Sequence, residues 1–385
     1  MASCSSGDSP DLVVVGAGPA GRALAHRAAR SGLTVTLVDP NPHQRWSQTF
    51  GAFADELPEW LSPVCVAARS ETVVVYTPRR RVLHRPYVVL DNTALRDSLS
   101  LHGVRIVTGC AAHIRPDEVV LDTGDVVPGR VVVDATGRAP GVAARALPRQ
   151  RAYGVVGIVG ADAETVLMDW RRPSPDTPDP PTFSYRVPLG SGRFLVEETF
   201  LAGTPPPIAE LARRWALRGT PHGWTGAATV DSVEVVDFAL TSGAPRPWLD
   251  DGHPLRFGAA GGLMHQATGY SVAASLRCAD IVVNAIVCGD DPRVALWPWR
   301  ARMVYAMRER GLRVLTGLGC TDTEQFFAAF FSTGDAGQRA YLGSRHNLAG
   351  VLRAMAATFA ATDWAGRRRI LARAIGMEQI RRTRR

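Results

Sequence analysis

Gly16-Ala17-Gly18-Pro19-Ala20-Gly21 is the stretch of this chain that decides its fold. It directly follows the apolar run Asp11–Val15, which predicts a buried strand, and it opens a segment of helical composition, Pro19–Ser31. A second β-rich run, Leu33–Val38, ends at Asp39. This order predicts a β-α-β unit whose two strands are parallel.

The three glycines have separate functions in such a unit. Gly16 permits the tight turn, Gly18 lets the backbone approach a pyrophosphate, and Gly21 lets the helix pack closely on the strand. The unpaired N–H groups at the helix start attract the phosphates. Asp39 lies 18 residues after Gly21, where its carboxylate can accept hydrogen bonds from a ribose hydroxyl. The glycines alone are a weak signal, but with both strands, the helix and the acid they predict a dinucleotide-binding domain.

Two later segments favour FAD over NAD. An apolar strand leads into Asp134-Ala135-Thr136-Gly137-Arg138, which resembles a turn of flavin-dependent hydroxylase-type proteins. The run Phe257–Gly262, followed by a helix predicted from about Ala267, resembles their second flavin segment, where a helix N-terminus faces the ribityl phosphate. The usual aspartate of that segment is absent, and Ala259 or Ala260 stands in its place. The predicted FAD-binding residues are Gly16, Gly18, Gly21, Asp39, Asp134, Gly137, Gly258, Gly261, Gly262, Thr268 and Gly269.

Composition narrows the class of protein. The chain has 385 residues, 46% hydrophobic and 21% charged, which suits one large domain or two coupled ones. It has no run of about 18 apolar residues, so no transmembrane helix is predicted. Six cysteines stand apart without a Cys-x-x-Cys pair, which predicts neither a metal site nor a disulfide framework and fits a reducing, cytoplasmic setting.

Positive charge is concentrated at the end of the chain. All 44 basic residues are arginine, and residues 367–385 hold eight of them against one acid, Glu378. Such a segment is attracted to anionic lipid or to nucleic acid, although a solvated, frayed terminus fits equally well. Because no base-stacking or groove-reading motif accompanies it, we expect a membrane surface and no nucleic acid as the partner.

The order of the predicted elements divides the chain into regions. Further strands are predicted at Thr72–Tyr76, Val104–Thr108, Arg130–Asp134, Gly154–Val159, Thr165–Met168 and Phe194–Val196. From Ala267 onward the pattern is mostly helical. We therefore expect a flexible leader (1–10), an FAD-binding domain (11–150 and 250–290), a β-rich substrate domain (151–249) and a helical C-terminal region with an arginine-rich tail (291–385).

Five motifs, in order along roughly residues 10–350, resemble the flavoprotein lycopene cyclases of plants and bacteria. They are Gly51–Pro58, Tyr153-Gly154 with Leu167–Arg171, Arg193–Thr199, Gly262–Tyr270 and Phe326–Phe331. Gln266 replaces a proline of the family pattern, and the segment after Val230 matches poorly. The resemblance implies an α/β fold with a Rossmann-type FAD-binding domain of the flavin hydroxylase-like kind, a β-sheet substrate domain and a helical end.

The resemblance also implies an isomerase that uses acid chemistry. Such enzymes protonate a terminal double bond of an acyclic carotenoid and close a ring, with reduced FAD as a non-redox cofactor and NAD(P)H as its reductant. The resemblance places this activity on the Glu-Glu-Thr motif. Since neighbouring side chains on a strand point to opposite faces, only one of Glu197 and Glu198 faces the reacting site, and we favour Glu197. Asp55 and Glu56 are the next candidate acids, although exposed acids at the start of a helix would give the same sequence pattern.

Other residues are candidates for substrate contact. Aromatic side chains can line a polyene channel, and a histidine or an ion pair can support it, although each also fits ordinary core packing. These candidates are Trp60, Asp169, Trp170, Tyr185, His265, Tyr270 and Phe326.

Three functions remain open on the sequence alone. The first is a lycopene cyclase that forms β rings, docked as a peripheral protein on the inner face of the membrane to reach its polyene substrate. The second is an FAD-dependent monooxygenase or dehydrogenase of a terpenoid or aromatic compound, because one fold serves both. The third is a flavin-bearing protein without enzymatic activity that binds nucleic acid through its arginine tail.

Overall fold

The structure is a computed structural model that describes residues 9–137, 147–158, 163–219, 233–241, 246–249 and 252–374. Most of the expected leader, Arg138, Val159 and the arginine-rich end from residue 375 onward lie outside the described residues.

Strands predominate up to Arg256, with a few helices between them, and from Val272 onward the described elements are helices. The strands are β1 (Leu12–Val15), β2 (Val35–Asp39), β3 (Gly51–Phe53), β4 (Val66–Ser70), β5 (Val73–Tyr76), β6 (Arg80–Leu83), β7 (Tyr87–Leu90), β8 (Val104–Thr108), β9 (Ala111–Ile114), β10 (Glu118–Leu121), β11 (Val126–Pro128), β12 (Val131–Asp134), β13 (Arg149–Ile158), β14 (Val166–Asp169), β15 (Phe183–Gly190), β16 (Arg193–Gly203), β17 (Val233–Ala239) and β18 (Leu255–Arg256). The α-helices are α1 (Pro19–Arg30), α2 (Asn92–Ser98), α3 (Ile208–Arg218), α4 (Val272–Cys288), α5 (Pro292–Leu296), α6 (Trp299–Leu315), α7 (Cys320–Ser332), α8 (Asp335–Gly343), α9 (Leu348–Ala361) and α10 (Trp364–Ala374).

A five-stranded parallel sheet, ordered β18-β12-β1-β2-β8, forms the part of the molecule that was expected to bind the nucleotide. Its central strand β1 is fully apolar and buried, because Leu12 and Val14 pack with residues of α1 and α4 on one face and Val13 and Val15 pack with residues of β10 and β11 on the other. The predicted β-α-β unit is confirmed, with the glycine turn between β1 and α1. The fold class is also confirmed, since sheets and helices combine in a mixed α/β molecule with a helical end.

A seven-stranded sheet, ordered β17-β13-β16-β15-β14-β5-β6, forms the second layer. Strands β5 and β6 belong to it although they come from the part of the chain expected to lie in the nucleotide-binding domain. Here β5 pairs in parallel with β14, a partner some ninety residues later in the chain. A pairing at this sequence separation leaves no local pattern from which a domain boundary can be read.

The helix expected from about Ala267 begins five residues later, at Val272, so the predicted start is wrong. The reason is the turn before it. The backbone N–H of Ala267 donates to the ring of His265, and Gly269 has a φ of 77°, which helical residues do not adopt. Among the described helices, none is both long enough and apolar enough to cross a membrane.

Candidate functional site

The glycine turn lines a cavity of about 470 Å³ at the carboxyl ends of β1 and β2. Gly16 has a φ of 107°, so a side chain there would be strained. A Cβ on Gly21 would overlap the carbonyl oxygen of Gly16, whereas a Cβ on Gly18 would meet no atom within 4 Å. The backbone at Gly18 therefore faces open space, and the N-terminus of α1 beside it has no side-chain cap.

Two acids shape the turns that form the wall of this cavity, and one of them, Asp39, lines it directly. Asp39 accepts hydrogen bonds from the backbone N–H groups of Ala17 (2.7 Å) and Asn41 (2.6 Å), so its carboxylate lies against the glycine turn. Asp134 accepts from the backbone N–H (3.0 Å) and hydroxyl (2.8 Å) of Thr136, which closes the turn that leads to Gly137. Asp134 thus holds the backbone, and Gly137 lines the cavity.

A second cavity of about 390 Å³ adjoins the first, and Ser271 lines both. The turn from Gly262 to Tyr270 forms part of its wall. The segment that leads into this turn needs glycine, because Gly258 and Gly262 have positive φ and Gly261 lies against the backbone of Arg256. Gln266 is only 2% exposed, and its Oε1 has no hydrogen-bond partner among the described residues. An unpaired buried acceptor in a cavity wall suits an N–H group of a ligand.

The acidic pair lies in this second cavity beside one arginine. Arg85 donates to Asp55 and to Glu56, each at 2.7 Å, and its guanidinium lies 3.8 Å from the ring centroid of Phe53. Asp55 also contacts Arg339 at 2.8 Å. Burial raises the pKa of Glu56, and Arg85 opposes that rise. Both acids are therefore held as partners of arginine.

His265 is a buried structural residue in this wall. Its Nδ1 accepts from the N–H of Ala267, which assigns the hydrogen to Nε2, and Nε2 donates to the carbonyl oxygen of Tyr341 at 3.0 Å. Burial and the nearby Arg308 lower the pKa of His265 well below its usual range, so the ring is neutral. Its hydrogen bonds hold the turn that contains Thr268 and Gly269.

The hydroxyl groups of three tyrosines form a hydrogen-bonded cluster beside the second cavity. The hydroxyl of Tyr87 lies 3.0 Å from that of Tyr185 and donates to that of Tyr270 at 2.9 Å. A Cβ on Gly51 would overlap the Tyr87 hydroxyl, so glycine is needed at that position. Burial raises the pKa of all three hydroxyls well above the usual range, which keeps them neutral hydrogen-bonding groups.

Glu197 and Glu198 point to opposite faces of β16, as strand geometry requires. Glu198 faces α3, is fully buried, and accepts from Arg218 at 2.7 Å and from the hydroxyl of Thr182. Glu197 faces the tyrosines, is 8% exposed, and receives no hydrogen bond from any described residue. Burial raises the pKa of Glu197 to about 8, and the Glu234 carboxylate adds to the rise.

An apolar cavity of about 50 Å³ lies beside the tyrosines and shares Tyr270 with the second cavity. Phe326 and Phe330 from α7 line it. Trp170 packs behind it, stacked on Phe327 at 4.7 Å between ring centroids.

Two of the residues predicted to contact the substrate have structural roles instead, one in buried ion pairs and the other in a separate hydrophobic cluster. Asp169 is buried in ion pairs with Arg171 and Arg186. Trp60 packs in a separate cluster with Leu276 and under the guanidinium of Arg27, so the structure does not bring it to the other candidates.

Comparison with known proteins identifies the family. A family model described as lycopene cyclase protein matches residues 11–367. The chain belongs to the lycopene cyclase family. An uncharacterized carotenoid cyclase from Deinococcus radiodurans is 36% identical over 351 residues, covering 84% of this chain and 83% of that protein. The chloroplastic lycopene beta cyclase of an Oncidium hybrid cultivar is 30% identical over 370 residues, covering 87% of this chain and 78% of that protein.

A solved structure shares the fold of this lycopene cyclase family member. It is a probable FAD-dependent monooxygenase from Pseudomonas aeruginosa, with a TM-score of 0.60, 18% identity, and coverage of 85% of this chain and 100% of that chain. The flavin hydroxylase-like fold expected from the sequence is thereby confirmed.

Sequence reasoning missed three residues of this candidate site. Tyr87 and Glu234 were not singled out, and Gly51 was quoted only as part of a motif. Tyr87 sits in a short apolar strand, where a buried tyrosine is ordinary. Glu234 lies in the segment that matches the family poorly, and only its pairing with β13 brings it beside Glu197. The one signal that could have found it is a charged residue in a β-rich run, Val233–Ala239.

Proposed function

We propose that this chain is an FAD-dependent lycopene cyclase that forms β-ionone-type rings at the ends of an acyclic carotenoid. The observation that carries the proposal is the environment of Glu197, an acid in an apolar, tyrosine-lined site whose pKa of about 8 keeps it protonated at neutral pH. A protonated carboxyl at such a place can serve as a general acid. Membership of the lycopene cyclase family supports a carotenoid as the substrate.

The residues around the two joined cavities fit FAD. Gly18 leaves open space beside the uncapped start of α1, which suits a pyrophosphate. Asp39 lines the same cavity and suits a ribose. The unpaired Oε1 of Gln266 in the second cavity suits an N–H group of a flavin ring. When bound in its reduced form, after reduction by NAD(P)H, the flavin would supply negative charge that stabilises a nearby carbocation.

The proposed chemistry is proton transfer without net oxidation. Glu197 donates its proton to a terminal double bond, and the resulting tertiary cation is attacked by a neighbouring double bond of the same chain. A proton then leaves the new ring, so the product has the same atoms as the substrate. The apolar cavity with Tyr270, Phe326 and Phe330 excludes water from the cation, and aromatic faces attract positive charge.

In this proposal, the remaining residues predicted from the sequence have structural roles around the site. Glu198 fastens α3 to the sheet, and Asp55 and Glu56 hold Arg85 at the cavity wall. His265 orders the turn from Gly262 to Tyr270, and Trp170 with Asp169 supports the sheet behind the apolar cavity.

A direct test expresses the chain in bacteria that accumulate lycopene and analyses their pigments by chromatography. We expect β-carotene from the wild type. Glu197→Gln is nearly isosteric but cannot donate as a carboxylic acid, so it should keep its flavin and melting temperature and lose about 100- to 10,000-fold in cyclisation rate. The matched control is Glu71→Gln, which removes an exposed carboxylate paired with Arg69 and should cyclise like the wild type.

Two outcomes would contradict the proposal. Near wild-type cyclisation by Glu197→Gln would place the acid elsewhere, with Glu56 next, since burial also raises its pKa. Oxygen consumption in step with NADPH on a terpenoid or aromatic substrate would instead support a monooxygenase, the activity named for the structural neighbour.

A further inference from the structure

One row of residues crosses four strands of the seven-stranded sheet. Tyr185 on β15 lies opposite Glu197 on β16, Glu197 lies opposite Gly154 on β13, and Gly154 lies opposite Glu234 on β17. Residues directly opposite one another in a sheet project from the same face. Two glutamates therefore point to one face with a single glycine between them.

Gly154 leaves room for these carboxyl groups to approach each other. The strands of Glu197 and Glu234 are two spacings apart, about 10 Å, so a side chain between them would separate the acids. A Cβ on Gly154 would lie 2.8 Å from Cγ and 3.3 Å from Oε1 of Glu197. The Glu197 carboxyl thus lies over the glycine, in the gap that faces Glu234.

The two carboxyl groups have different hydrogen-bond partners. Glu234 accepts from the backbone N–H and the hydroxyl of Thr49, each at 2.7 Å. No described residue donates to Glu197. Burial raises the pKa of both carboxyl groups, but the two bonds from Thr49 oppose the rise at Glu234, whereas no hydrogen bond from a described residue opposes it at Glu197. The described titratable groups that face Glu197 are Tyr185, Tyr270 and Glu234, and none of them is a cation.

We propose that Glu197 and Glu234 form a proton-sharing carboxyl pair in which Glu234, held as the anion by Thr49, keeps the single proton on Glu197. Glu234 is then a positioning residue that tunes the acid. This inference rests on the proposed function for its catalytic meaning. Two like charges so close in an apolar site cannot both be ionised without a large penalty, so one proton is retained.

Infrared difference spectroscopy of the purified flavoprotein over a pH titration tests the pair without any substrate. We expect one protonated-carboxyl band at neutral pH that disappears near the pKa of Glu197, about 8, and that is missing in Glu197→Gln. In Glu234→Gln the band should titrate lower by about one pH unit or more, because the neighbouring negative charge is gone. The matched control is Asp237→Asn, on the opposite face of β17 in surface ion pairs with Arg149 and Arg151, which should leave the band unchanged.

A second variant keeps the test decisive if Glu234→Gln folds poorly. Thr49→Val removes one of the two donors to Glu234, so part of the proton should move to Glu234 and a second protonated-carboxyl band should appear. An unchanged titration in both variants overturns the proposal. So does a band that survives in Glu197→Gln and vanishes in Glu234→Gln.

Cyclisation assays provide a further test of the carboxyl pair, and this test depends on the proposed function. If Glu234 tunes the acid, Glu234→Gln should cyclise poorly at pH 8 and recover at lower pH, where Glu197 regains its proton. A purely structural defect would not recover with pH, and that result counts against the proposal. A wild type that shows the coupled band but never cyclises a carotenoid would remove the proposed function and leave the carboxyl pair standing.

Discussion

At the scale of single residues, Gly18 and Gly21 lie three positions apart in one turn and are glycine for different reasons. The missing side chain of Gly21 is required by the protein itself, since a Cβ would overlap Gly16. The missing side chain of Gly18 meets no protein atom within 4 Å. Its space is left for a ligand.

This difference predicts two separable defects. Gly18→Val should fold normally and lose FAD, because the side chain would occupy the space for the pyrophosphate. Gly21→Val should lower the free energy of unfolding by about 1–3 kcal/mol or more, because the packed turn must move. Melting temperatures should be compared on flavin-free protein, since bound FAD itself stabilises the fold. Full flavin occupancy in Gly18→Val would contradict the assignment of this turn.

At the scale of elements, α3 is fastened to the seven-stranded sheet by polar contacts. Arg218 pairs with Glu198 at 2.7 Å, and the ring N–H of Trp215 donates to the carbonyl oxygen of Val196 at 3.0 Å. Arg214 donates to the carbonyl oxygens of Pro178 and Pro180 in the loop before β15. Glu198 is thus the sheet's main ionic contact to the helix.

We therefore expect Glu198→Gln to act on stability. Removing one partner of a buried ion pair costs about 3–5 kcal/mol when the other charge is left uncompensated, and here Arg218 keeps, among the described residues, only the more distant Asp169 as an ionic partner, at 4.0 Å. Removing one partner of the exposed Arg69–Glu71 pair, by Glu71→Gln, should change stability by less than about 1 kcal/mol. Urea unfolding of both variants measures the difference. Equal effects would mean that Arg218 finds another partner and that α3 does not depend on Glu198.

The strand and helix predictions differed in accuracy according to how local their sequence signals are. The strand β8 matches its prediction residue for residue, β1, β5 and β12 begin one residue later than predicted, and β2 and β14 differ by one or two residues at both ends. Their apolar runs are local signals. Strands β13 and β16 are much longer than predicted, since β13 begins at Arg149 rather than Gly154 and β16 continues to Gly203 rather than ending at Val196. The start of α4 was missed because a histidine hydrogen bond and a glycine of positive φ prolong the preceding turn. Neither the hydrogen bond nor the positive φ can be predicted from amino-acid composition.

At the scale of the whole molecule, we propose the helical end as the surface that docks on a membrane. Helix α9 is rich in apolar residues, but Val351 and Ala354 are buried in the helical packing, so only part of it is free. Trp364 is 72% exposed and Leu371 is 49% exposed on the following helix α10, which also carries arginines. Exposed aromatic and apolar groups beside arginine suit an anionic membrane surface.

We predict that the double change Trp364→Ser and Leu371→Ser weakens sedimentation with anionic liposomes about ten-fold or more, because each side chain loses apolar burial in lipid. The matched control is Val126→Ser, since Val126 is 52% exposed on the separate three-stranded sheet β9–β11. Deleting 375–385 should reduce the salt-sensitive part of binding. Unchanged sedimentation of the double variant would exclude α10 as the docking surface.

Features of this protein that depend on neighbours in the chain could be predicted from the amino-acid sequence alone. The glycine turn, the acid at the end of β2 and the opposite facing of Glu197 and Glu198 all follow from backbone geometry over a few residues. The tertiary structure alone decided which distant residues meet. Strand register places Glu234 beside Glu197 across Gly154. Packing brings the hydroxyl of Tyr87 to those of Tyr185 and Tyr270. Trp60, by contrast, packs in a separate hydrophobic cluster. Register and packing depend on the whole fold, because a slip of one residue turns each side chain to the other face.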